Sequence, residues 1–118
     1  MLRKGLLINT NNEKKEFIIN MEEGTNNISI LLNDKITFVG QILREPDKYN
    51  AIVMNGLNSK NLNLDKNICK IPPFTETIYR DIFIICMDEH SVPQNFTLED
   101  FNDYITNYES KYKQNYYF

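Results

Sequence analysis

The chain has 118 residues, of which 42% are hydrophobic and 25% charged, the length and balance of one globular domain with one modest core. A net charge of −3 and a pI near 5.1 exclude the overall basic excess by which general DNA and RNA binders neutralise phosphate. No apolar run approaches the roughly 20 residues that span a bilayer, and GLLI near the N-terminus is far shorter than a signal-peptide core, so a protein that is neither secreted nor membrane-bound is expected.

The first elements read as a hairpin. RKGLLIN and EFIIN are short apolar runs separated by the Asn-rich turn signal NTNNEKK, and Glu22, Glu23 and Gly24 end the second run. Thr25 to Asn33 carries two periodicities. Ile28, Leu31 and Leu32 share a helical face, whereas Ile28, Ile30 and Leu32 alternate as in a strand. The helical spacing is preferred, with Thr25 as its cap. KITFVGQIL is a strand by its β-branched and aromatic content, stopped by REPDKYN, and NAIVMNG is the next strand.

Ser59 to Phe74 is polar and closes on Pro72-Pro73, which forbids helix and interior strand. A long surface loop is predicted, pinned to the body by Leu62, Leu64 and Ile68. Ile82 to Met87 is almost continuously apolar and fits a central strand covered on both faces. SVPQN turns the chain into a last helix. Its predicted cap is Thr97, with Asp100 three residues later closing a capping box, and its apolar stripe runs through Leu98, Phe101, Tyr104 or Ile105, Tyr108 and Tyr112. Together these predict one α+β domain over 1–113. It has a mixed, mainly antiparallel sheet of about five strands and a C-terminal amphipathic helix packed on one face. Residues 114–118 form a short aromatic tail.

Chemistry-bearing residues are few. Cys69 and Cys86 form no CxxC pair and stand among apolar neighbours, so two small buried side chains are expected rather than a disulfide or a reactive thiol. Asp88, Glu89 and His90, the one histidine, stand together at the end of the central strand, where α/β proteins often place reactive groups. Adjacent residues on an extended strand point to opposite faces, however, and one His with two distant Cys is a poor ligand supply for zinc. A solvated turn is the preferred reading. There is no Gly-rich phosphate loop, GxSxG or HExxH, and no catalytic residue, metal or cofactor is assigned. The Lys and Tyr residues near the C-terminus suit stacking on single-stranded bases less well than they suit a helix stripe and tail.

The segment Asp81-Ile82-Phe83-Ile84-Ile85-Cys86-Met87-Asp88-Glu89, followed by Pro93-Gln94-Asn95-Phe96-Thr97-Leu98-Glu99-Asp100-Phe101, resembles a family of small uncharacterised proteins of large nucleocytoplasmic DNA viruses that infect algae and protists. NLDKNICKIPPF upstream is similar to that family's Asn then Pro-Phe segment. The resemblance covers Asn61 to Ile105, and the N-terminal half follows by layout, which is also loosely similar to a phage family of unknown function. Arg80 stands where the pattern has Gly, and Asn95 where it has Asp, which removes a charge from the turn. The resemblance implies a viral origin, with the Asn-rich composition suiting an AT-rich genome, and it transfers no activity.

The function expected from these readings is a non-enzymatic viral interaction protein in host cytoplasm or virion, with a host or viral protein as partner. Its expected contact residues are Asn61, Asn63, Asn67, Pro73 and Phe74 in the long loop, and Asp88, Glu89 and His90 in the turn. Two alternatives stand beside it. One is a virion structural component that forms a homo-oligomer, and the other is a small enzyme or ligand-handling protein that uses Asp88, Glu89 and His90. Neither nucleic acid nor a membrane is an expected partner.

Overall fold

A computed structural model of the chain describes residues 1–44, 49–59 and 65–116, with side chains through Glu109. Strands β1 (Leu2–Ile8) and β2 (Lys14–Asn20) precede helix α1 (Asn26–Leu32); strands β3 (Ile36–Arg44), β4 (Tyr49–Gly56), β5 (Ile82–Met87) and β6 (Pro93–Gln94) precede helix α2 (Leu98–Tyr116). The sheet order is β2-β1-β5-β4-β3, with β6 paired to β5. Every described strand pair is antiparallel, so the chain forms the expected α+β domain, and among the described residues its sheet is antiparallel.

The hairpin forms as the runs suggest, but β2 starts at Lys14, inside the stretch read as turn. The reversal is tighter than the composition implies because the Asn9 carboxamide accepts the backbone N–H groups of Asn11 (2.9 Å) and Glu13 (3.0 Å), and Asn12 takes a left-handed conformation (φ 65°). Residues 26–32 settle as helix. Ile28 and Leu32 are buried while Ile30 is 75% exposed, which the strand alternation would have forbidden. Thr25 contributes its carbonyl to Ser29 N–H but no side-chain cap.

β5 fills the centre of the sheet, and its alternation feeds two cores. Ile82, Ile84 and Cys86 face one side with Leu6, Ile8, Ala51, Val53, Phe96 and Phe101. Phe83 and Ile85 face the other with Ile19, Met21, Met54 and the inward residues of α1. A strand buried on both faces needs no polar alternation, which is why this run reads as continuously apolar. Gly5 on β1 makes room for the Phe83 ring, because a Cβ there would stand 2.1 Å from Phe83 Cζ.

The SVPQN stretch is more than a turn. Pro93 and Gln94 pair with Met87 and Cys86 as β6, and Arg3 Nε donates to the Pro93 carbonyl at 2.7 Å. α2 then starts as its capping box requires. Asp100 N–H donates to Thr97 Oγ1 (3.1 Å) and Thr97 N–H to Asp100 Oδ2 (2.9 Å). Phe101 is buried, and Tyr104 and Ile105 pack against the same core. Leu98 lies at the exposed margin of the stripe, and the side chain of Tyr112 is outside the described set.

Candidate functional site

The turn after β5 is built around one carboxylate. Asp88 Oδ1 accepts the N–H groups of His90 (2.9 Å) and Val92 (3.0 Å), and Oδ2 accepts Gln94 Nε2 (3.1 Å). The backbone closes the same loop, with Asp88 N–H on Val92 O and Ser91 N–H on Asp88 O, both at 3.0 Å. Ser91 is left-handed at φ 61°. The Val92 N–H first, then those of His90 and Gln94, hold the Asp88 carboxyl below the usual carboxylate range, against partial desolvation. Occupied by three donors and stabilised in its charged form, this carboxylate is a weak base. The Glu89 and His90 side chains extend into solvent and pair at 3.4 Å, 86% and 78% exposed, a geometry that holds little energy. The structure therefore does not converge Asp88, Glu89 and His90 on a common point. Among the described residues no group of three or more His, Cys, Asp and Glu side chains is placed to hold a metal ion.

Of the loop residues, Asn61 and Asn63 lie outside the described residues, as do Leu62 and Leu64. Asn67 is buried, and all of its amide is spent internally. Its Nδ2 donates to Ile8 O (3.0 Å) and Arg80 O (2.9 Å), and its Oδ1 accepts Cys69 N–H (2.9 Å). This anchor sets the parity of residues 65–74, the strap, so that Asn67, Cys69 and Ile71 turn inward and Lys66, Ile68 and Lys70 outward. Ile68, the residue expected to pin the loop, is 63% exposed for that reason, and Cys69 with Ile71 takes its place in the core. Pro73 is exposed and follows a cis Pro72–Pro73 bond. Phe74 is half-buried against the core, with its ring laid on Gly40 of β3, where a Cβ would come within 2.5 Å. The Tyr104 hydroxyl donates to Pro72 O and ties the strap to α2. Both cysteines are buried thiols outside any disulfide, and burial pushes the Cys69 thiol up, away from thiolate reactivity.

Two concavities flank β3. On the face carrying α1, Phe38, Gln41, Ile52, Met54, Met87 and Ile28 line a cleft of about 480 Å³, completed by Thr25, Gly40 and Ser91. It exists because α1 is too short to roof the sheet. Seven helical residues cover about 10 Å, whereas the nine residues of β3 run about 30 Å. On the other face Phe38, Val39, Pro73, Phe74, Glu76 and Ile78 line a hollow of about 470 Å³ with Thr75 and Thr77. Phe38 belongs to both and is 66% exposed. None of Phe38, Gln41, Ile52, Met54 and Met87 was among the expected contact residues. The available signal was a short helix set against a strand with no charged residue from Ile36 to Leu43.

A family model described as a family of unknown function (DUF5880) matches residues 6–104. The chain belongs to that family. The matched span begins in β1 and ends within α2, so DUF5880 includes the strands, the strap and the Asp88 turn. No curated protein and no solved structure matches the chain. No helix among the described residues is long and apolar enough to cross a membrane.

Proposed function

We propose that this chain is a non-enzymatic interaction protein that holds a host or viral protein partner on the α1 face of its sheet. The observation that carries this reading is the apolar cleft of Phe38, Ile52, Met54 and Met87 left open beside α1. Concave apolar surface with a few polar groups at its margin is the usual form of a binding site. The Asp88–Gln94 turn forms one wall through Ser91, and its internal hydrogen bonds make that wall rigid. Pro73 and Phe74 stand on the opposite side of β3 and extend the contact surface. The resemblance of Asp81 to Phe101 to proteins of large DNA viruses supports a viral setting, with host cytoplasm or virion as the place of action.

The test is affinity capture from host-cell lysate beside a Phe38→Glu variant, followed by titration of the purified captured protein against both. A purified partner that binds at least tenfold more weakly to Phe38→Glu supports the reading. Equal affinity for both proteins would place the partner elsewhere and refute it. Recovery of this chain alone would turn the assignment to an oligomeric component.

A further inference from the structure

We infer that β3 is a receptor strand, which takes an extended segment of a partner protein by strand addition, that segment carrying a large apolar side chain next to a basic one. This rests on the interaction reading above and names the chemistry of the partner.

Among the described residues β3 pairs with β4 alone, so its outer edge presents backbone donors and acceptors along an extended strand. Natural sheets blunt such an edge with charge. β2 at the opposite end of the sheet carries Lys14, Lys15 and Glu16, whereas β3 has no charged residue from Ile36 to Leu43. An uncharged edge is the form that accepts another backbone.

The two hollows fit that mode and no other as simply. They lie on opposite faces of one strand and share Phe38. Neighbouring side chains of an added strand also point to opposite faces, so consecutive residues of the incoming segment enter one hollow each. The cleft on the α1 face has no charged lining residue and suits a large apolar side chain. The hollow on the other face has Glu76 as its single charged lining residue and suits Lys or Arg. The register shift between Phe38 and Gly40 twists the edge, so the segment that pairs is short, about five to six residues.

A second copy of this chain pairing through its own β3 fits less well. β3 brings no basic residue between Lys35 and Arg44 to face Glu76. Phe38 and Leu43, 66% and 49% exposed, offer roughly 200 Å² of apolar surface, far short of the roughly 800 Å² per partner of a stable dimer.

The experiment is selection of a phage-displayed random heptapeptide library on the full chain, with the enriched peptides then synthesised and titrated. The expected result is enrichment of peptides with Lys or Arg adjacent to a large apolar residue. Their affinity falls at least tenfold on Phe38→Glu, and they slow amide exchange at Gly40 to Leu43. Selection on Glu76→Lys then enriches Asp or Glu in place of the basic residue. No enrichment, or enrichment that ignores the sign at position 76, overturns the inference. Peptides that depend on Phe38 but leave the β3 amides unprotected overturn strand addition while the cleft stands as a contact surface. A concentration-dependent dimer that Phe38→Glu abolishes assigns the edge to a second copy and overturns the partner segment. Phe38 and Glu76 are both exposed, and an unchanged urea midpoint in each variant separates lost binding from lost folding.

Discussion

Asn67→Ala separates a residue that holds the fold from one that holds a partner. The wild-type amide makes three hydrogen bonds across the strap, to Ile8 O, Arg80 O and Cys69 N, and the side chain is 7% exposed. Alanine removes all three and leaves the Cys69 N–H without the acceptor it has now. A buried polar group left without a partner costs about 1–3 kcal/mol, and each lost neutral hydrogen bond about 1 kcal/mol net. The sum is about 3–5 kcal/mol, a large fraction of the 5–15 kcal/mol that holds a domain of this size together. With a urea slope of about 1.5–2 kcal/mol/M the midpoint drops by about 2 M. Asn67→Asp falls at least as far, because a carboxylate accepts from Cys69 N–H but cannot donate to the two carbonyls. Urea unfolding followed by tyrosine fluorescence measures both. A midpoint within about 0.3 M of wild type, with an unchanged slope, would refute the account of Asn67 as the anchor of the strap.

Other expectations follow from single contacts. Gly5→Ala brings a Cβ to 2.1 Å from Phe83 Cζ, and Phe83 is fully buried, so overpacking lowers stability by about 1–3 kcal/mol; Phe83→Leu in the same chain restores part of that loss in thermal unfolding. Thr97→Ala removes half of the capping box and costs about 1 kcal/mol, measurable as a lower urea midpoint. Because the folded state depresses the Asp88 pKa, its contribution is complete above the unfolded carboxylate value near 3.9 and disappears as pH falls through the lower folded value. Asp88→Asn therefore destabilises at neutral pH and converges on wild type in acid. A difference that stays constant from pH 7 to pH 2 would contradict the hydrogen-bond account of the turn.

The sheet was legible where burial dictates pattern. The continuous run Ile82–Met87 fits a strand covered on both faces, and Thr97 with Asp100 marked the start of α2 because a reciprocal cap needs those residue types at that spacing. The strap was harder to read. Its inward parity depends on where one buried amide is anchored, and a one-residue shift exchanges Ile68 for Cys69 and Ile71. β6 was hidden because two residues carry no period. The Asp88 turn was placed correctly from the residues around it, but the number of donors on its carboxylate depends on the path through Val92 and Gln94. The cleft was missed for a different reason. It is defined by what α1 fails to cover, and a sequence pattern marks the residues that seek burial without marking where the covering runs out.

The contacts and the polarity around β3 bear on that gap. Gly40 admits the Phe74 ring against the strand from one side, and α1 leaves the other side open. Arg44 at the end of the strand is held by Asp100 at 2.9 Å and donates to Asn95 O at 2.9 Å, while Leu57 N–H fixes Lys35 O at its start. Both ends of the strand are thus tied to the body, and the uncharged middle is where the register shifts. On the proposed reading, a strand held at both ends presents its outer backbone at little reorganisation cost. In binding, geometry that is already in place before contact lowers the free energy lost to ordering. The polar groups that seemed best suited to recognition, on Asp88 and Asn67, are the ones that create this rigidity, by fixing the turn on one side of the cleft and the strap on the far face. On the proposed reading their role is to hold the surface in shape, and the contact falls to apolar residues and to backbone.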